Sequence, residues 1–325
     1  MIKNHCVWTK CLLVPPLIAI AGFAAAKEPP ITCVRFAPGG EKLLSVSQSG
    51  LRILAWHDLS EKRRIELDFA NPHCIAFSPQ GNFVALGGGN PAEFGCVTVY
   101  RWPRMEKIAE YDDFDDSVTS IAWESEASFF AASLDRSVKR IGTITEGTSS
   151  GESQLDEIAT YLGHSRAVRG LCLLKKKNVL ITAGYDQSVR VWNVASGELI
   201  RSLSQHTQPI HSVSPQPAEQ GLPYIASAAQ DRTIRFWQPT IGRMVRYARL
   251  ESEPLNIVWS PTGEQLFAVC TDGCLHVVDP VDVNVKHRIA AIDGWAYAVD
   301  VHPLEPAVAV AGSHGQLQKV SLSEE

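Results

Sequence analysis

Residues 163–203, GHSRAVRGLCLLKKKNVLITAGYDQSVRVWNVASGELIRSL, are the most regular stretch of the chain. Two apolar segments follow the opening Gly163-His164 pair, and the turn Gly184-Tyr185-Asp186 leads into a third segment that ends at Trp192. A Ser196-Gly197 turn then leads into a fourth segment, Leu199 to Leu203. Short strands separated by turn signals are typical of all-β folds, and four of them in a row predict one antiparallel blade of a β-propeller.

Six other units along the chain are variants of this one. The residues at the turn before each third strand are, in chain order, Gly50, Phe94, Asp135, Asp186, Asp231, Asp272 and His314. Successive turns are 44, 41, 51, 45, 41 and 42 residues apart, a period typical of propeller blades. The sequence therefore predicts a single all-β domain, residues 27–325, folded as a seven-bladed β-propeller of four-stranded antiparallel blades. The last unit contains residues for only three strands.

In wording and spacing the unit resembles the WD-repeat (WD40) family, which has a Gly-His pair before the first strand and a Trp-Asp pair at the end of the third. Asn193 takes the place of that Asp. In the family a His, a second-strand hydroxyl, the turn Asp and the Trp form a hydrogen-bonded set that fastens the blade. The resemblance implies two such sets here, made by His164, Thr182, Asp186 and Trp192 and by His206, Ser227, Asp231 and Trp237. A His, an Asp and a hydroxyl could also be taken for a catalytic triad, but their recurrence in the next unit favours a structural role.

The other five units depart from this pattern. The first two lack the turn Asp, and the third, sixth and seventh lack the His or the Trp. We expect those blades to be held together by apolar packing alone.

Residues 1–26 differ in kind from the rest of the chain. Lys3 and Lys10 lie in a polar start, Cys11 to Phe23 is an apolar run, and three alanines end it at Ala26. This pattern predicts a secretory signal peptide cleaved after Ala26, since the apolar run is too short for a stable membrane span. The prediction is thus an exported protein, periplasmic or extracellular. The alternatives are an uncleaved anchor and a cytoplasmic protein that retains the segment in its fold.

Ring closure depends on the same segment. In the WD-repeat family the N-terminus usually supplies the outermost strand of the last blade. After cleavage only four residues would precede the first strand, and two of them, Pro29 and Pro30, have no N–H to donate. The run Leu17 to Ala26 is apolar on both faces, unlike an outer strand. We therefore predict a cleaved leader and a three-stranded seventh blade with an exposed edge.

Composition and motifs argue against several ligand classes. The net charge is −5 and no long basic run is present, so nucleic acid is not expected as a partner. Gly87-Gly88-Gly89 lacks the rest of a phosphate loop, and Asp112 to Asp116 lacks the distant Glu of an EF-hand. No Cys/His spacing is typical of zinc, so no metal or cofactor is predicted. Cys270 and Cys274 flank a hairpin turn, and whether they form a disulfide is left open.

The resemblance implies a non-catalytic scaffold for one or more unidentified protein partners. In the family the usual contact surface is the face that carries the loops into each first strand and the hairpins before each third strand. The candidate contact residues on that face are Phe114, Arg166, Tyr185, Gln230, Asp293 and Trp295. Trp, Tyr and Arg are the residue types that dominate interface energies. Trp295 could equally be a plug packed over the channel.

The alternative is a propeller enzyme, lactonase-like or cofactor-dependent, with its site at the channel mouth. The small-residue face of the first strands is formed by Cys33, Cys74, Ser120, Gly170, Ser212, Asn256 and Ala298. This set contains no general base and no cation. The acid/base residues grouped near one blade are Asp293, Asp300 and His302. The sequence therefore favours the scaffold.

Overall fold

A computed structural model describes residues 28–142, 155–217, 222 and 224–322. Within these residues, 27 strands form seven antiparallel sheets in which the strands follow one another in chain order. Six sheets have four strands and the last has three. The predicted seven-bladed β-propeller with a three-stranded final blade is confirmed.

The blades follow the repeats of the sequence. The first blade contains β1 (Cys33–Phe36), β2 (Lys42–Ser47), β3 (Gly50–Ala55) and β4 (Glu61–Ile65). The second contains β5 (Cys74–Phe77), β6 (Phe83–Asn90), β7 (Phe94–Arg101) and β8 (Glu106–Phe114). The third contains β9 (Val118–Trp123), β10 (Ser128–Ser133), β11 (Val138–Gly142) and β12 (Asp156–Tyr161).

The fourth blade contains β13 (Val168–Leu174), β14 (Val179–Gly184), β15 (Val189–Asn193) and β16 (Leu199–Leu203). The fifth contains β17 (Ile210–Pro215), β18 (Ile225–Ala229), β19 (Thr233–Gln238) and β20 (Arg243–Arg249). The sixth contains β21 (Pro254–Trp259), β22 (Leu266–Cys270), β23 (Cys274–Val278) and β24 (Val285–Ala290). The seventh contains β25 (Ala296–Val301), β26 (Ala307–Gly312) and β27 (Leu317–Ser321).

The described helices are two three-residue turns, Lys175–Lys177 and Ser313–Gly315. Within the part of the chain that the structure describes, no helix has the length and apolar character needed to cross a membrane.

The core lies between the blades. The first strand of each blade contacts the first strands of its two neighbours, and β25 contacts β1 to close the ring. Second strands such as β14 are buried on both faces, whereas β16 is exposed over most of its length. Burial thus falls from the second strand outward, which explains why apolar runs mark the second and third strands in the sequence.

Close approach of the inner strands accounts for the small residues on one of their faces. A Cβ at Gly170 would lie 3.1 Å from the backbone nitrogen of Val213 and 3.2 Å from its Cγ1, in the next blade. Interiors packed at crystal density leave no room for a larger side chain at this point. Glycine here sets the spacing between the fourth and fifth blades.

The seventh blade meets the first without a fourth strand among the described residues. There β27 pairs only with β26, and the backbone N–H of Ile31 donates to the Gly312 carbonyl at 3.0 Å. The leader predicted over residues 1–26, its cleavage after Ala26 and the run Leu17 to Ala26 lie outside the described residues. The described N-terminal segment is therefore attached to the seventh blade by one backbone hydrogen bond, at the last residue of β26.

Candidate interaction surface

The structure brings together the four side chains of the fourth-blade set. His164 Nδ1 lies 2.9 Å from Asp186 Oδ2, and Nε2 lies 2.7 Å from Thr182 Oγ1. The indole N–H of Trp192 donates to the same Thr182 oxygen at 2.8 Å. Because a carboxylate only accepts and an indole only donates, His164 donates from Nδ1 while Thr182 donates to Nε2. Every polar atom of the set thus has a partner.

The fifth blade repeats this geometry. His206 Nδ1 lies 2.9 Å from Asp231 Oδ2 and Nε2 lies 2.7 Å from Ser227 Oγ, while Trp237 donates to Ser227 at 2.8 Å. Thr233 adds a hydroxyl donor to Asp231 at 2.6 Å. The two sets therefore differ only in the hydroxyl residue and its neighbours.

The electrostatics of both sets suit a structural staple. Burial acts to raise the pKa of Asp186, but hydrogen bonds from His164, Ser188 and the Ser165 backbone outweigh it and hold the pKa well below its usual range. The pKa of Asp231 is lowered in the same way. Thr182 is fully buried with its oxygen and proton both engaged, so it is not positioned to attack a substrate.

Other blades replace the missing members with different polar partners. In the third blade Asp135 accepts from the backbone of Ser137 at 2.7 Å and of Asp115 at 3.1 Å. In the sixth, Asp272 accepts from Arg288 at 2.9 Å and lies 3.2 Å from His276 Nε2. The expectation that these two blades are held by apolar packing alone is wrong, because the turn carboxylate finds donors within its own blade or the loop before it.

Backbone bulges shape the mouth of the channel. In the third to seventh blades the register between the first and second strands shifts by one residue near the start of the first strand. The residues at these shifts are Thr119, Arg169, His211, Leu255 and Tyr297. A bulge leaves its extra residue outside the ladder and re-aims its side chain. The fold thus repeats one irregular position at the same end of five blades.

Charges from non-adjacent blades interact at this end. Burial and then the positive charge of Arg169 lower the pKa of His73 to about 4. His73 precedes the second blade and Arg169 belongs to the fourth, so the charge of one blade acts on a residue next to another that is not its direct neighbour. Arg169 also lies over the ring of Tyr185, 5.9 Å from its centroid. His211 packs edge-on against Tyr185 at 5.9 Å and lies 2.6 Å from Glu253.

Five of the predicted contact residues have accessible surface at this end. We call them the mouth face; they are Arg166, Tyr185, Gln230, Asp293 and Trp295. Trp295 is 51% exposed and lies 6.1 Å from the ring of Tyr297. This exposure favours a contact residue over a plug packed across the channel. Tyr185 is half-buried by its cationic and aromatic neighbours.

Phe114 does not belong to this surface. It is only 4% exposed, packs edge-on against Tyr111 at 5.6 Å, and has the Lys139 ammonium 5.1 Å above its ring. The prediction that Phe114 is an exposed contact residue is wrong. It is the last residue of β8 and points into the core between the second and third blades.

Sequence reasoning missed the inner part of the mouth. Arg169 and His211 lie in first strands and Glu253 directly precedes one, whereas the predicted contact residues are on loops and hairpins. The sequence feature that marks these inner positions is a polar residue directly after the apolar residue that begins a first strand. It occurs at Val168-Arg169 and at Ile210-His211.

The acid/base residues considered for catalysis are tied into the joint between blades. Asp300 accepts from the Phe36 backbone at 2.7 Å and from Arg35 Nη1 at 3.0 Å. His302 Nδ1 accepts from the backbone of Leu304 and Glu305, and Nε2 donates to the Gly40 carbonyl at 3.2 Å. Both side chains are buried. Their polar atoms are occupied by structural bonds.

Comparison with known proteins agrees with this architecture. The family model for the WD domain, G-beta repeat, matches residues 155–193 and 197–238, which run from the outer strand of the third blade through the fourth blade to the third strand of the fifth and contain both staples. The matched residues are those in which the four-residue set is complete.

Three relatives from Saccharomyces cerevisiae align with part of the chain. The COMPASS component SWD3 is 26% identical over 43% of this chain and 40% of its own length. The antiviral protein SKI8 is 27% identical over 42% of this chain and 25% of its own length. The U3 small nucleolar RNA-associated protein 13 is 24% identical over 34% of this chain and 14% of its own length. The matches thus span less than half of each relative.

These relatives contradict the predicted export. They are intracellular yeast proteins, one of them named for a small nucleolar RNA, and they point to the nucleus or the cytoplasm. The prediction of a periplasmic or extracellular protein is therefore wrong. It rested on the composition of residues 1–26 alone.

Proposed function

Because this chain is a β-propeller with WD repeats, we propose that it is a non-catalytic scaffold that binds a partner protein on its mouth face. The observation that carries the proposal is the contrast between the mouth face and the buried polar groups. Trp295, Arg166 and Gln230 are exposed there, whereas the His and Asp side chains of the staples and of the seventh-blade joint are already hydrogen-bonded.

The mouth face has the residue types of a binding hot spot. Half of the Trp295 surface is available for burial against a partner, and aromatic anchors of this kind contribute most of the energy of many interfaces. Arg166 lies on the loop before β13, in the same turn as the staple residue His164. Because the staple holds this loop in place, the Arg166 side chain extends from an ordered backbone, which lowers the entropy lost on binding.

The names of the relatives support the same class of function. One is a component of an assembly, COMPASS, and another is associated with a small nucleolar RNA. Under the proposal, this chain is also a member of a larger assembly. The net charge of −5 supports a protein partner rather than direct binding of nucleic acid.

The experiment is affinity capture with the full chain from a whole-cell extract, quantified by mass spectrometry. We compare wild type with Trp295→Ala and Arg166→Ala, and with Leu304→Ala as the matched control. Leu304 is 79% exposed and follows β25 at the opposite end of the blade. Partners retained by wild type and Leu304→Ala but reduced at least about tenfold by the two mouth-face changes support the proposal.

Two results contradict it. One is that Leu304→Ala loses partners to the same extent as the mouth-face variants, which would mean that binding is not specific to the mouth face. The other is full retention by the double variant Trp295→Ala, Arg166→Ala with an unchanged circular dichroism spectrum, which would remove the mouth face as the contact surface.

A further inference from the structure

The hairpin of the sixth blade brings together three side chains that bind metal ions in other proteins. They are Cys270 at the end of β22, Asp272 in the turn and His276 in β23. One potential ligand atom from each lies within 4.8 Å of the other two. Cys270 is fully buried and the His276 side chain is 2% exposed.

Strand pairing explains why these residues converge. His276 lies directly opposite Ala268 in the register of β22 and β23. Side chains two residues apart on a strand share a face, so Cys270 shares the face of Ala268 and of its partner His276. Asp272, in the turn, reaches back to this face and contacts His276. Cys270 and His276 are therefore positioned by the strands, and Asp272 is positioned by the hairpin turn that joins them.

The geometry fits a tetrahedral ion. Asp272 Oδ2 and His276 Nε2 are 3.2 Å apart. Two nitrogen or oxygen ligands, each about 2.0–2.1 Å from a tetrahedral zinc ion, are separated by about 3.3 Å. The other ring nitrogen, His276 Nδ1, is buried and has no hydrogen-bond partner among the described residues. Thus only one of the two ring nitrogens of His276 is hydrogen-bonded, and the other is shielded from water.

Groups outside the three ligands hold the carboxylate in place. Arg288 donates to Asp272 Oδ2 from Nε at 3.1 Å and from Nη2 at 2.9 Å, and the Cys274 backbone donates to Oδ1 at 3.1 Å. Metal-binding carboxylates are commonly oriented by hydrogen bonds of this kind. An ionised carboxylate has about four lone-pair sites, so it can accept the two bonds from Arg288 and the bond from Cys274 and still bind a cation.

This blade also lacks the staple found in its neighbours. Four residues before the turn Asp, Ala268 stands where the fourth and fifth blades have Thr182 and Ser227. Six residues after it, Val278 stands where they have Trp192 and Trp237. The sixth blade therefore has a turn Asp without the hydroxyl and indole that complete the set elsewhere.

We propose that the sixth-blade hairpin binds one zinc-like divalent cation through Cys270 Sγ, the Asp272 carboxylate and one ring nitrogen of His276. A thiolate, an imidazole and a carboxylate together suit zinc or cobalt better than calcium or magnesium, which bind oxygen ligands. The ion fastens the hairpin in place of the missing staple. The three ligands are two and four residues apart, at Cys270, Asp272 and His276. This spacing differs from the Cys-x-x-Cys pattern of common zinc sites, which is why the sequence predicted no metal.

The test is a titration of the full chain, freed of metal and kept reduced by a phosphine, with Co²⁺ as the probe. We expect one equivalent to bind and to produce a cobalt–thiolate charge-transfer band together with visible bands of tetrahedral cobalt. Zn²⁺ should displace it. Cys270→Ser should abolish the charge-transfer band, and His276→Gln should weaken Co²⁺ binding at least about tenfold.

Cys274→Ser is the matched control, because Cys274 lies in the same hairpin but its sulfur is turned toward the Asp272 carbonyl at 3.6 Å. It should keep the band and the affinity. The proposal is overturned if wild type shows no charge-transfer band, if Cys270→Ser retains it, or if Cys274→Ser loses it to the same extent. Circular dichroism of each variant before titration separates loss of binding from loss of fold.

Discussion

The carboxylate of Asp300 in the seventh blade accepts a hydrogen bond from the backbone N–H of Phe36 in the first blade, at 2.7 Å. Asp300 is buried and also pairs with Arg35, so its charge is balanced within the joint. Trp56 of the first blade adds a bond from Nε1 to Glu305 at 3.0 Å. Among the described residues, side-chain bonds therefore join the first and seventh blades directly.

Removing this joint should destabilise the whole ring. Asp300→Ala leaves the Phe36 N–H and the Arg35 guanidinium without their acceptor, at an expected cost of about 1–3 kcal/mol in the free energy of unfolding. The lower part of that range applies if water reaches Arg35, whose side chain is partly exposed. Urea unfolding measures the change, with Asp112→Ala, an exposed carboxylate, as the control. Equal midpoints for the two variants would contradict a role for Asp300 in closure.

The staples make a second prediction. Asp186→Ala removes the acceptor of His164 and should lower the free energy of unfolding by about 1–3 kcal/mol. Asp272→Ala also removes the partner of the buried His276, but it should cost less in metal-free protein, because the two bonds from Arg288 can be replaced by water at that largely exposed side chain. Denaturant unfolding of both variants under the same conditions gives the comparison. A midpoint unaffected by Asp186→Ala, or lowered more by Asp272→Ala, would disprove the ranking.

The pKa of His73 predicts a dependence of stability on pH. Its pKa in the folded protein is about 4, below the ordinary value of 6.5, so the unfolded chain takes up the proton first as the pH falls. Stability is therefore complete above pH 6.5 and is lost progressively toward pH 4. His73→Gln should reduce the loss between pH 7 and pH 5 by about 1–2 kcal/mol. Exposed His287→Gln is the control, and identical slopes in both variants would argue against the effect.

The effect of Arg169 on His73 can be tested separately from the effect of burial. Burial is the larger cause of the low pKa of His73, and the charge of Arg169 is the second. Arg169→Gln should therefore raise the pKa of His73 while leaving it below 6.5. Titration of the His73 ring by NMR measures the change directly. An unchanged pKa would mean that the charge of Arg169 does not act on His73 in solution.

The edge of the seventh blade makes a prediction for amide exchange. Third strands such as β15 and β19 are covered by a fourth strand, whereas β27 has none among the described residues. Amides of β27 that point away from β26 should exchange faster than their equivalents in β15, since they lack a carbonyl acceptor in the ladder. Hydrogen exchange read by mass spectrometry or NMR measures this. Protection equal to that of β15 would indicate that a further strand covers the edge.

Errors in the sequence interpretation arose where distant segments meet. Phe114 follows an acidic pair and reads as a loop residue, yet β8 extends to it and the next blade buries it. The predicted export rested on residues 1–26, and the intracellular relatives contradict it. The joint residues Asp300 and His302 read as an acid/base pair, because the sequence does not reveal that Arg35 and Gly40 lie against them.

The sequence alone determined the number of blades, the positions of their first strands and the members of both staples. These features are local: each unit is about 40 residues long, and a His, a hydroxyl, an Asp and a Trp at fixed spacing specify one hairpin pair. The tertiary structure decided the closure of the ring, the electrostatic influence of Arg169 on His73 and the grouping of Cys270 with His276. The first joins segments more than 200 residues apart, at Phe36 and Asp300, and the second acts between residues more than 90 apart. The third depends on strand register. Neither long-range proximity nor register is encoded by spacing within a repeat, since both arise only when the blades pack around a common axis.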